Sequence, residues 1–340
     1  MRIKSQRIKV VGLIFCSLLC IDFAAKGEKI ERYERVPDEF ESAGGHALGL
    51  ANAGTAALSE QSSVRTNPAM LGFEKQYTIS GGYHWPSFGR EFYQAGAVDS
   101  KTSPLAAGLT YTSSKEPYEG NESKIKFEAD KSKQAQVYLD SPIQYRLSLG
   151  VAKALSLVSV GFGLQYVEGF GQEPDSALFE KKKGMTLGAG IGGLLTQNLR
   201  IAASVENLAN ERVKNMAPKM YRAGLAYTAL MGDLTLHLDY SQRQRVLQEL
   251  IPFGAQVSER PSLGDEKMMF ASFSLRVQDF IRFLGGYGQE VGGELKPRRS
   301  AAMGIALVNR DYSLSYLANN PYMEDTRVHQ ALNLSFQLSI

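Results

Sequence analysis

The sequence predicts an all-β fold, an antiparallel transmembrane barrel of about fourteen strands, on three observations. Apolar and polar residues alternate with a period of two from residue 76 to the last residue. The alternating segments are joined by short and long connections in turn. Tyr and Phe number 16 each against one Trp, and the tyrosines collect near segment ends. A period of two gives a strand one apolar and one polar face. A bilayer accepts only helices and closed barrels, because every backbone polar group must be paired internally. The 340 residues and the mean hydropathy of −0.21 look like those of a soluble chain. That average blends a lipid face with a polar lumen face.

Taken in order, the chain starts with an address. Arg2, Lys4, Arg7 and Lys9 precede a short apolar run over 10–21, and Ala24, Ala25 and Gly27 follow. This is the charged, apolar, small-residue pattern of a signal peptide, read here as residues 1–27. The run is too short to span, and bulky Leu19 before Cys20 argues against lipid attachment. Residues 1–27 hold five of the 38 basic and one of the 35 acidic residues. The rest of the chain thus has 33 basic and 34 acidic side chains, a net −1 in place of +3. The basic surplus that would suggest a nucleic-acid partner is gone. Both cysteines, Cys16 and Cys20, fall in the same stretch, so the remaining chain has neither disulfide nor thiolate metal site. No later stretch approaches the ~20 apolar residues of a spanning helix.

Residues 28–41 are strongly charged, and 42–75 are small, Gly/Ala-rich and nearly uncharged. The strands are expected near 76–86, 91–99, 104–113, 143–153, 157–168, 184–195, 198–207, 218–229, 232–242, 268–278, 280–290, 299–309, 311–318 and 329–340. Most approach the ~9–11 residues of a tilted membrane strand. Connections after even-numbered strands are short; those after odd-numbered strands are often long and polar, notably 114–142, 169–183, 241–267 and 318–328. Short periplasmic turns and long outer loops mark an outer-membrane barrel, and an even strand count returns both ends to the periplasm. The competing reading is a soluble β-sandwich or a lipocalin-like barrel. The last strand carries Leu332, Leu334, Phe336, Leu338 and Ile340 on one face, the amphipathic C-terminal signal that the barrel-assembly machinery reads.

No catalytic or cofactor constellation stands out. His46, His84, His237 and His329 lack metal-ligand spacing. Residues 188–193 fit G-x-G-x-x-G, but no helix or βαβ unit follows, so they read as a glycine-rich strand. There is no nucleophile elbow and no H-E-x-x-H. The expectation is a non-enzyme without metal or cofactor. Glycines inside strands relieve crowding where another backbone approaches.

The stretch Ala43-Gly-Gly-His-Ala-Leu-Gly-Leu-Ala-Asn-Ala-Gly-Thr-Ala-Ala, then Asn67-Pro68-Ala69 and a tyrosine-rich first strand, resembles the start of FadL-type outer-membrane barrels. It is most similar to their PorV/PorQ branch. Val205-Glu-Asn-Leu208, Tyr221-Arg-Ala-Gly-Leu-Ala-Tyr227 and Asp311-Tyr-Ser-Leu-Ser-Tyr316 extend the likeness. Thr66 stands where the branch has an aromatic, and Ile340 where the assembly signal usually ends in Phe. The resemblance implies a barrel over 76–340 whose N-terminal segment, 28–75, folds into the lumen as a plug. Gly44, Gly45, His46, Gly49, Gly54, Asn67 and Pro68 are the expected plug residues.

The resemblance also implies passive transport of hydrophobic or small amphipathic molecules, gated by that plug. The alternative is a PorV-like scaffold that partners a secreted or surface-attached protein. The expected surroundings are outer-membrane lipid and the assembly machinery of a Gram-negative-type bacterium, with no nucleic acid. By parity, Arg146, Arg200, Glu206, Arg222, His237, Asp239, Arg276 and Arg282 face the lumen. They line a ligand path, or they pair with one another and with the plug, since a buried charge needs a partner. The charged loops at 115–133 and 241–267 are the place to look for surface recognition.

Overall fold

The computed structural model describes residues 49–58, 61–73, 75–86, 92–114, 143–172, 179–213, 217–244, 265–277, 280–291, 299–309, 311–320 and 328–338. The expected signal peptide, Gly44, Gly45, His46, Ile340, the charged loop 115–133 and residues 245–264 of the other lie outside the described residues; strands β9 and β10 run into the ends of the loop expected over 241–267, to Arg243 and from Glu266.

Fourteen antiparallel strands form a closed barrel among them. They are β1 (Tyr77–Pro86), β2 (Phe92–Asp99), β3 (Ala106–Ser114), β4 (Ile143–Leu155), β5 (Val158–Gln172), β6 (Phe179–Leu194) and β7 (Leu199–Glu206). The second half is β8 (Met220–Ala229), β9 (Leu234–Arg243), β10 (Glu266–Val277), β11 (Ile281–Glu290), β12 (Arg299–Val308), β13 (Tyr312–Asn320) and β14 (His329–Leu338). Each strand pairs with its sequence neighbours. β1 closes on β14 over ten residue pairs, from Tyr77 against Leu338 to Pro86 against His329. Closure leaves no sheet edge unpaired, as a membrane demands.

Side-chain parity divides the wall cleanly. Leu147, Leu149, Val151, Phe162, Leu187, Ile201, Leu236, Leu238, Ile305, Leu332 and Phe336 all point outward and are exposed. A continuous apolar belt of this kind is far beyond the patches a soluble monomer tolerates, so the exterior is made for lipid. This excludes the soluble sandwich and lipocalin-like readings. Tyr83 stacks on Trp85 (centroids 5.4 Å apart) and meets Tyr93 at 5.1 Å, on the outward face near the long-loop end of β1 and β2. Amphipathic rings in that position suit a lipid–water boundary.

The β5–β6 hairpin departs from the expected boundaries. Its ladder continues past Glu168–Lys183 through Gly169–Lys182, Phe170–Lys181, Gly171–Glu180 and Gln172–Phe179, where a loop over 169–183 was expected. Backbone pairing continues there, but the apolar alternation does not, because a hairpin beyond the bilayer has no lipid face to maintain. The β8–β9 connection also differs. Leu230–Gly232 is a 3-10 turn in which Leu230, Met231 and Gly232 have φ of 52°, 56° and 100°, so β9 starts at Leu234, two residues later than expected.

Candidate functional site: a segment held inside the lumen

Residues 49–58 and 61–73 lie inside the barrel, and their composition explains how they fit. The segment has one helical turn, α1 (Ser63–Thr66), and one 3-10 turn, Pro68–Gly72. Leu50, Ala51, Ala53, Ala56, Ala69, Met70 and Leu71 are fully buried. They meet the wall in separate apolar clusters. Leu50 and Ala53 join Met268, Phe270, Leu284, Leu317 and Ala331. Val64 and Leu71 join Val98, Ala106 and Ala152. Ala56 and Met70 join Ala202 and Ala226, with Leu58 and Phe73 against them.

The wall is carved to receive this backbone. A Cβ on Gly150 would come within 2.9 Å of the Val64 carbonyl oxygen, and one on Gly286 within 2.5 Å of the Leu50 carbonyl carbon. On Gly161 it would run into the Ala69 nitrogen and the Pro68 carbonyl carbon, and on Gly190 into the Asn67 side chain. Gly96, Gly108 and Gly192 similarly face Gln61, Val64 and Met70. These glycines stand on the polar, inward face of their strands, where close approach of a second backbone requires the absence of a side chain.

The Asn67-Pro68-Ala69 motif has a local physical role. The Asn67 Oδ1 accepts from the Ala69 amide at 3.2 Å, and Pro68 opens the 3-10 turn with its φ already set. The Asn67 Nδ2 donates to the Thr55 carbonyl (3.1 Å) and to the Ile191 carbonyl of β6 (3.4 Å). One amide thus caps a turn, ties two parts of the segment together and fastens both to the wall. Thr66 extends the anchor: its carbonyl accepts from Ser204 Oγ at 2.6 Å.

Charge is concentrated on β7–β9. Glu206 accepts from Arg222 Nε at 2.7 Å and from Arg65 Nε at 3.2 Å, all three side chains at most 5% exposed. Asp239 Oδ2 accepts from the amides of Gly54 (2.6 Å) and Thr55 (2.7 Å). Arg200 Nε donates to the Ala56 carbonyl at 3.4 Å. Arg65 and Arg222 offset Glu206 and Asp239 in charge, which makes an ionic cluster tolerable away from water, and Arg200 adds one further positive charge beside them.

Of the residues read as lumen-lining, Arg146, Arg200, Glu206, Arg222, His237 and Asp239 are inward and buried. Arg200, Glu206, Arg222 and Asp239 belong to the contacts just described. Arg276 and Arg282 do not join them. They are direct cross-strand partners at the short-turn end of β10 and β11, Arg276 exposed and Arg282 half-buried. Parity gave their direction but not their depth. Gly49, Gly54, Asn67 and Pro68 all fall in the inner segment. In the final strand, Leu332, Leu334 and Phe336 face outward and are exposed, while Leu338 is placed by its backbone pairing with Tyr77. Arg65 was missed. Its signal was a lone cation, with Glu60, in the otherwise uncharged stretch 42–73, which requires a counter-charge wherever that stretch is buried.

No protein-family model matches the sequence, and neither does any curated protein sequence. Solved structures do. The Ralstonia pickettii toluene transporter TbuX superposes with a TM-score of 0.56 at 13% identity, covering 88% of this chain and 98% of that one. A Pseudomonas aeruginosa FadL homologue gives 0.55 at 11%, covering 86% and 97%. The P. putida toluene transporter TodX gives 0.55 at 12%, covering 87% and 98%. At these identities the likeness is one of fold, and the fold is the FadL-type outer-membrane barrel.

Proposed function

We propose that this FadL-type barrel lies in an outer membrane and passively conducts hydrophobic or small amphipathic molecules, with the inner segment as its plug. Three observations support the reading. The exterior belt is made for lipid. The lumen is filled by a segment covalently continuous with β1. Two of the similar structures are toluene transporters. The inner segment carries most of the weight. It is fastened by hydrogen bonds and ion pairs, chiefly to β6–β9, which can break one at a time, and not by a continuous β-ladder. A conduit gated in this way needs no reacting group, and the described lumen residues act by pairing and packing.

The test is flux. Purified protein in liposomes is given an apolar aromatic probe, and the intact chain is compared with one lacking residues 49–72. The proposal expects faster probe entry through the shortened chain, with barrel integrity checked by heat-dependent gel migration. Equal flux contradicts it. A scaffold would instead bring a protein partner through mild-detergent purification and show no probe flux in either form.

A further inference from the structure

The β7–β8 connection turns inward beside the charged anchor of the inner segment. Glu206 ends β7, and Asn207 follows it in the left-handed region at φ 59°, which asparagine tolerates better than most residues with a Cβ. Thr186 Oγ1 donates to Asn207 Oδ1 at 3.0 Å, and Asn207 Nδ2 donates to the Pro218 carbonyl at 2.8 Å. Asn210 Nδ2 donates to the Ala217 carbonyl at 2.7 Å. Two buried side-chain amides thus tie the outgoing chain to the returning one. Between them the Val213 amide donates to the Asn210 carbonyl and the Ala217 amide to the Val213 carbonyl, both at 2.8 Å.

The connection has an apolar seat on the wall. Val213 is buried with Ala217 and Val167 of β5, and a Cβ on Gly184 of β6 would stand 2.9 Å from Val213 Cγ1. Val167 and Gly184 are cross-strand partners. Gly184 and Thr186 share the inward face of β6 with Gly190 and Gly192, which meet Asn67 and Met70 of the segment. Gly188, on the same face, stands beside Glu206: a Cβ there would lie 3.8 Å from the Glu206 Cα. Thr186 and Gly184 are therefore about 7 and 14 Å nearer the long-loop end than the ion pairs of Glu206. Among the described residues of the connection, Glu211 and Arg212 are exposed and Lys219 is half-buried, so none of these charges fills the Val213 seat. Burial matters because Arg65 is the segment's own partner for Glu206. A pair open to water holds by a factor of about five at most, whereas pulling one partner from a buried pair costs a factor of roughly a hundred or more.

We propose that the β7–β8 connection is an outer cap on the plug: seated through Val213, it keeps water from the Arg65–Glu206 pair and so sets how tightly the inner segment is held. This rests on the plug reading but not on what crosses the barrel, because its readout is the segment's hold and not a flux. Native-state amide exchange of the folded full chain in detergent at low salt follows the Thr66 and Asn67 amides. They donate to the Ser62 and Ser63 carbonyls immediately after Arg65. Amides of the β4–β5 ladder report barrel assembly in the same sample.

Val213→Ser unseats the cap without touching the ion pair, and is expected to speed exchange at Thr66 and Asn67 about tenfold. Asn210→Ala, which removes the clamp on the Ala217 carbonyl, should act in the same direction. Salt separates a wetted pair from a loosened fold. Raising it to about 0.5 M should leave the wild type unchanged and speed both variants by roughly a further threefold, since only a pair open to water is screened. Arg65→Met deletes the pair, and adding Val213→Ser to it should alter neither the rate nor the salt response. Unchanged exchange in both cap variants overturns the proposal. So does acceleration that ignores salt, or that persists undiminished in the Arg65→Met background, because either means a connection that acts by packing alone. If the Val213→Ser barrel fails to assemble, Asn210→Ala decides. Fast exchange of Thr66 in the wild type would instead overturn the plug reading, and the cap with it.

Discussion

Asp239 gives the sharpest perturbation of the inner segment, because the two hydrogen bonds its Oδ2 accepts both come from that segment and none from the wall. Its Oδ2 accepts from two consecutive amides, Gly54 at 2.6 Å and Thr55 at 2.7 Å, with the carboxylate 3% exposed. Hydrogen bonds to a charged acceptor contribute roughly 1.5–3 kcal/mol each, so Asp239→Ala costs docking about 3–5 kcal/mol. That corresponds to a shift of roughly two to four decades in the equilibrium between docked and released segment. Asp239→Asn keeps the shape and one acceptor but loses the charge, and should cost about 1–2 kcal/mol. Native-state amide exchange reads this directly. Gly54 and Thr55 amides should lose protection in the order wild type, Asn, Ala, while amides in the β4–β5 ladder stay protected. If the Ala variant folds and those two amides exchange as slowly as in the wild type, the geometry assigned to the plug anchor is wrong.

Other outcomes follow from the same contacts. Gly161→Leu places a side chain where the Pro68–Ala69 backbone runs; it should expel the segment yet leave the barrel assembled, read as new tryptic cleavage after Arg65. Asn67→Ala removes a turn cap and two ties at once. It should weaken docking by about 1–3 kcal/mol, visible as faster exchange at Ala69. Leu149→Arg puts a cation on the outward face near the middle of β4, where Leu149 is 43% exposed. It should lower barrel stability in vesicles by about 2–4 kcal/mol, measured from the urea midpoint.

The barrel was legible because lipid on one side and a lumen on the other force strict alternation, which no tertiary accident can disguise. The same rule placed Arg146, Arg200, Glu206, Arg222, His237 and Asp239 inward. It could not separate them from Arg276 and Arg282, because parity fixes the face and is silent about height along the barrel. Nor could it see the outer part of the β5–β6 hairpin, where Lys181–Lys183 pair in the ladder without a lipid face to impose a pattern. The inner segment has no period at all. Its place came from resemblance, and its fit from contacts distant in sequence: Arg65 to Glu206 is 141 residues, and Thr55 to Asp239 is 184. The glycines offered the one local clue, since Gly150, Gly161, Gly190 and Gly286 interrupt the polar face at the points where the segment crosses it.

The central claim is that the inner segment must leave its cradle for the barrel to conduct. The Thr55 Cβ lies 2.8 Å from where a Cβ on Gly224 would stand, and the Asp239 carboxylate lies closer still, so T55C with G224C can form a disulfide once the segment shifts by about 1 Å and the Asp239 side chain turns aside. Probe flux through this variant in liposomes, oxidised and then reduced in the same sample, tests the claim most directly. The account predicts no flux when the lock is closed and flux restored on reduction. Equal flux in both states would contradict it.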